Sequence, residues 1–99
     1  MGNSFKSAHF LMDSRLADAA RGNADALYDL GIAYSTGSGG VDVDLIAAHK
    51  WFNLAALNGS EAATMCRADI SDEMTAREIV EAQRQARAWL QAMDQRRAA

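Results

Sequence analysis

"ADALYDLGIAYSTGSGGVDVDLIAAHKWFNLAALNG", residues 24–59, decides the fold of this 99-residue chain. It reads as two helices joined by a glycine loop. Over residues 24–35, Leu27, Leu30, Gly31 and Tyr34 recur at the three- and four-residue spacing that lines one side of a helix. Asp44 then offers an N-cap oxygen, and Leu45, Ala48, Phe52, Ala55 and Ala56 form a second apolar stripe, closed by the Asn-Gly pair at 58 and 59. Between them, "GSGGVDVD" (37–44) is the densest glycine stretch of the chain. A phosphate loop needs Lys and Ser or Thr after its last glycine, where Val41 and Asp42 stand. A dinucleotide fingerprint needs a glycine where Asp42 stands, and a strand before it rather than a helix. Asp42 and Asp44 would also repel an anion, and Ile46 with no following glycine breaks a calcium loop. The loop is expected to turn a corner, with Gly37 ending one helix, Gly39 and Gly40 reversing the chain, Val41 packing inward and Asp44 opening the next helix.

Outward from this stretch the same signals continue. Phe5, Ala8, Met12, Leu16 and Ala19 mark one face of a preceding helix that stops at Gly22. A short helix is expected over 61–69. "TARE", 75–78, is a capping box, in which Thr75 and Glu78 satisfy each other's backbone amides. The helix it opens has Ile79, Ala82, Ala86, Trp89, Leu90 and Met93 on its core face, with Arg77, Arg84, Arg87 and Gln91 opposite. "AARGNADAL" (19–27) aligns with "ALNGSEAAT" (56–64), Gly22 on Gly59 and Ala26 on Ala63, a period of 37 residues. Two helices per unit at that period indicate a helical solenoid, whose small residues let helix backbones approach closely. Trp51 and Phe52 are expected to fill the wedge between successive hairpins.

Composition supports an all-α class. Proline is absent, hydrophobic residues make up 49% and charged residues 23%, and no alternating β-branched run occurs. The net charge of −3 gives no positive field to draw nucleic acid or anionic lipid. Five arginines beyond Ala76 face only Glu78, Glu81 and Asp94, so the C-terminal helix is mildly basic and the body acidic. Cys66, the single cysteine, excludes an internal disulfide. No segment has the length of a membrane span, the apolar patch after Lys6 is too short for a signal-peptide core, and Lys6 stands where a myristoylation signal needs Ser or Thr. The expected location is cytoplasmic, with no membrane and no nucleic-acid partner.

In residues 24–59, Ala26, Leu30, Gly31, Tyr34, Gly37, Gly40, Val41, Asp44, Ala48, Trp51, Phe52, Ala55, Ala56 and Gly59 stand at fixed spacing. In these the chain resembles the Sel-one-like repeat, a relative of the tetratricopeptide repeat. "GSGGV" is one glycine longer than the usual family loop, and Arg67 and Ala68 replace an expected Leu and Gly. The expected architecture is a short α/α-hairpin solenoid of about five helices. It is one domain over 1–99, with a core repeat at 24–59, a degenerate second repeat at 60–74 and a capping helix at 75–96. The resemblance implies a concave surface, lined by the first helix of each hairpin, that holds other proteins. Its implied lining is Asp25, Tyr28, Ile32, Ser35 and Thr36, with Met65 the counterpart of Tyr28 one repeat on.

Chemistry is poorly provided for. Ser7 and His9, two apart on a helix, face away from each other, and His49 beside the core stripe is expected to be solvated or half-buried. Two histidines and one cysteine without short ligand spacing do not make a zinc site, and Cys66 reads as a small core residue. Trp51 and Trp89 lie on apolar stripes with no basic groove for stacking bases. The reading is a non-enzymatic protein-interaction adaptor or scaffold without cofactor or metal. An accessory subunit of a homo-oligomer or larger complex is the alternative, a hydrolase a remote one. Arg77, Arg84 and Arg87 offer a secondary surface for an acidic partner.

Overall fold

Asn23, Asp44 and Ser60 each turn a side-chain oxygen onto the amide three residues ahead, and each starts a helix there. The computed structural model describes residues 3–98, and the side chains of 10–96. Five helices run through them: α1 (Asn3–Ala20), α2 (Ala24–Thr36), α3 (Leu45–Leu57), α4 (Glu61–Ser71) and α5 (Ala76–Ala98). Among the described residues there is no strand. Phe5, Ala8 and His9, expected on the first helix, have side chains outside the described set.

The 37-residue period is visible in the hydrogen bonds that end and start helices. At the close of α1, the Asn23 amide donates to Asp18 O (3.2 Å) and the Gly22 amide to Ala19 O (2.9 Å). At the close of α3, Ser60 donates to Ala55 O (3.0 Å) and Gly59 to Ala56 O (3.1 Å). Both are Schellman closures around a left-handed glycine. In each, the residue after the glycine caps the next helix: Asn23 Oδ1 accepts from Ala26 N and Ser60 Oγ from Ala63 N. One short polar residue thus ends one helix and begins another, which is why these corners are so tight.

The 37–44 loop turns a corner as expected. Gly37, Gly39 and Gly40 all have positive φ, and Ser38 N donates back to Ala33 O (3.0 Å). The Asp44 amide then closes the loop onto Tyr34 O (2.9 Å), while its carboxylate accepts from Ala47 N.

Packing centres on α3. Helix α2 lies along it, α4 and α5 pack on it, and α1 packs on α2. Leu27, Leu30, Phe52 and Leu54 are almost wholly enclosed, with Ala19, Ala48, Ala55, Ala63, Ala82 and Ala86 filling the crossings. Two sequence expectations are corrected here. A single stripe was expected on α3, yet Leu54 is buried as well, and so is His49, only 3% exposed. The reason is that α3 is the central helix, covered from several sides. Leu90, expected in the core, is 38% exposed, because it borders an open groove with Leu54, Asn58 and Asp94. Helix α4 also runs to Ser71, two residues past the expected end.

The capping box forms in both directions: Thr75 N donates to Glu78 Oε1 (2.8 Å) and Glu78 N to Thr75 Oγ1 (3.1 Å). Thr75→Ala is expected to destabilise the protein by about 1 kcal/mol, read from the midpoint of urea unfolding at unchanged slope.

Candidate functional site

Helices α2 and α4 touch side by side, and their outer surfaces are left uncovered. On α2, Asp25 and Thr36 are exposed, whereas Tyr28, Ile32 and Ser35 are half-buried. The Tyr28 ring leans on Phe52, centroids 5.8 Å apart and tilted by 49°. The Ser35 and Thr36 hydroxyls both donate to Ile32 O, at 3.1 and 2.8 Å, and so are turned to their own helix. On α4, Met65 is 70% exposed, a large apolar side chain standing in solvent. Cys66 is half-buried rather than a core residue, because it lies at the seam with α2 beside Tyr28. That neighbouring thiol, more than burial, pushes the Tyr28 phenol above its ordinary range. The structure therefore brings Tyr28 to the α4 seam, while Asp25 and Thr36 remain exposed. Asp29 and Asp69, not singled out in the sequence, are also exposed on these two helices; Asp29 is one turn from Asp25, which is the signal that would have found it.

The arginine face of α5 is a separate surface. Arg77, Arg84 and Arg87 are exposed, and Arg84 is tied to Glu81 by hydrogen bonds of 2.7–3.0 Å. These bonds hold the Glu81 carboxyl below the usual carboxylate range. The pair neutralises the middle of the row, leaving Arg77 and Arg87 as its outward charges.

Among the described residues, no group of three or more His, Cys, Asp and Glu side chains comes together. His49 is enclosed with its Nδ1 unpartnered. Burial, and secondarily the Arg67 charge, push its pKa below the ordinary 6.5. The folded protein therefore holds His49 neutral, and the unfolded chain takes up the proton first as pH falls. Stability from this group is complete above about pH 6.5 and declines from there downward through the folded pKa. His49→Leu is expected to flatten the stability profile between about pH 6.5 and 5, above the carboxylate range, in urea titrations.

The hairpin of α2 and α3, its 37–44 corner and the glycine–polar closures on either side form a single repeat unit. A family model, described as Sel1 repeat, matches residues 24–60. In this stretch the chain is similar to the Sel1 repeat. The matched stretch spans α2, the glycine corner, α3 and the Ser60 cap, so it includes Asp25, Tyr28, Ile32, Ser35 and Thr36, while Met65 lies beyond it. Comparison with curated proteins and with solved structures gives no match. Among the described residues, no helix is long and apolar enough to cross a membrane.

Proposed function

We propose that this chain is a non-enzymatic adaptor that holds a segment of another protein on the α2–α4 face. Sel1 repeats are in general protein–protein interaction modules. The observation that carries the assignment to this face is Met65, 70% exposed on α4, with Tyr28 and Ile32 half-buried on α2. An exposed methionine is an adaptable, apolar contact that costs solvation until something covers it. The lone, half-buried Cys66 suits a reducing, cytoplasmic setting.

The test is crosslinked capture from native extract with the parent, the Tyr28→Ala, Ile32→Ala variant and Met65→Glu, each checked for helicity and melting. Partners held by the parent and lost by both variants support the reading. Partners kept by both folded variants overturn it.

A second reading, a subunit of a homo-oligomer, rests on a groove of about 700 Å³ between α1 and α5, lined by Leu16, Ala17, Ala20, Trp89 and Met93 with Arg21 and Arg96 among its lining. Phe10 and Leu11 stand exposed on α1. In this reading sedimentation equilibrium shows a dimer that Leu16→Glu dissociates; a monomer at high concentration removes it.

A further inference from the structure

The charge of the α2–α4 face narrows the chemistry of what it holds. Between Gly22 and Ala76 the chain has eight carboxylates and only two cations, Lys50 and Arg67. Both cations are engaged elsewhere. The Lys50 ammonium lies over the rings of Trp51 (4.3 Å) and Trp89 (5.6 Å), and Arg67 donates to Asn53 Oδ1 on α3. By contrast Asp25, Asp29, Glu61 and Asp69 are exposed, and among the described residues none of them is in an ion pair. These carboxylates occur on the two helices that also present Tyr28, Ile32 and Met65. The two helices thus carry an exposed methionine and two half-buried apolar side chains together with unneutralised negative charges.

We propose that the α2–α4 face docks a basic segment of a partner protein, which lays one apolar side chain on Met65, Tyr28 and Ile32 and places Lys or Arg side chains against Asp25, Asp29, Glu61 and Asp69. The proposal rests on the adaptor reading above. A nucleic acid or an anionic membrane is repelled by the same carboxylates. Each exposed ion pair adds little by itself, so the apolar contact anchors while the charges steer encounter and reject acidic competitors. Binding of this kind weakens as salt rises.

The probe is a labelled twelve-residue peptide with a central Leu flanked on both sides by Lys-Arg pairs. It is compared with a Ser-for-Leu version and a Glu-for-Lys/Arg version by fluorescence anisotropy, at low and physiological salt. The Leu-centred basic peptide is expected to bind, to weaken with salt, and to lose roughly tenfold in affinity to the Asp25→Lys, Asp69→Lys protein. An equally charge-changed protein, Asp13→Lys with Asp94→Lys on α1 and α5, is expected to bind like the parent. Equal loss in both proteins, equal binding of the Ser-centred peptide, equal binding of the acidic peptide, or no binding of the basic peptide overturns the proposal. So does salt-sensitive self-association abolished by Arg77→Glu with Arg87→Glu, which would make α5 of a second copy the occupant. A captured partner that depends on Tyr28 and Ile32, but whose crosslinked segment is not basic, defeats this inference and leaves the adaptor reading standing.

Discussion

Gly31→Leu is expected to abolish the cooperative melting transition, and Gly31→Ala to lower the melting temperature by about 5 to 15 °C. A Cβ on Gly31 would sit 2.4 Å from Phe52 Cδ1 and 2.5 Å from Cε1, far inside any real carbon contact. The ring has no room to retreat. Phe52 is 1% exposed and packs between α2 and the rest of α3's partners, with Tyr28 leaning on its face. Alanine therefore costs about 1–3 kcal/mol of overpacking, offset in part by the roughly 0.5–1 kcal/mol that removing a mid-helix glycine returns. Leucine adds three more carbons to the same space and drives the two helix axes apart. The assignment to steric overlap, rather than to backbone change, is checked by a double-mutant cycle. Phe52→Leu destabilises the parent by leaving a cavity, but in the Gly31→Ala background its cost is expected to be smaller, because the space it vacates receives the new methyl group. Unchanged helicity and melting in Gly31→Leu would mean that α2 and α3 do not meet at this position.

The signals that were legible in the sequence are the ones that act within a few residues. Asn23, Asp44, Ser60 and the Thr75–Glu78 pair cap helices because a short polar side chain reaches an amide three residues away, and that reach is written in spacing alone. The glycines at 22, 37, 39, 40 and 59 likewise declare positive φ wherever a helix must stop and turn at once. What spacing does not contain is how many neighbours a helix has. A periodic stripe on α3 implies one buried side, whereas this helix is enclosed by α2, α4 and α5, so His49 and Leu54 are interior although neither lies on the stripe. Spacing likewise does not contain which helices meet. Tyr28 and Cys66 are far apart in sequence and become neighbours only because α2 and α4 touch, and the isolation of Asp25, Asp29 and Asp69 from any cation follows from where Lys50 and Arg67 are drawn. The hold of α4 is also a matter of packing: Arg67 bonds to Asn53 on α3, and Ala68 is exposed.

Trp51→Ala is expected to destabilise the protein by about 3–5 kcal/mol, a large fraction of what a domain of this size has, and to loosen α5 in particular. Helix α5 packs chiefly on α3, and at their contact Trp51, 4% exposed, meets Trp89 edge-on with ring centroids 4.8 Å apart and planes at 78°. That arrangement adds an electrostatic preference to the buried area, since the edge of one ring meets the negative face of the other. Lys50 closes the contact from outside. Its ammonium lies over both rings, and the desolvation it suffers there lowers its pKa, with the Asp44 charge opposing the shift. Removing Trp51 thus empties the joint, strands Trp89 against a cavity and leaves the lysine without its main ring. The α2–α3 hairpin keeps Phe52, Leu27, Leu30 and Leu54, so the damage is expected to be uneven. Hydrogen exchange followed along the chain checks this: in Trp51→Ala, protection of α5 amides is expected to fall further than that of α2 amides. Trp51→Phe, which keeps an aromatic ring at the joint, is expected to recover most of the α5 protection. Equal loss of protection in α2 and α5 would show instead that the hairpin and the terminal helix unfold as one unit, and that the tryptophan pair is not what fastens α5.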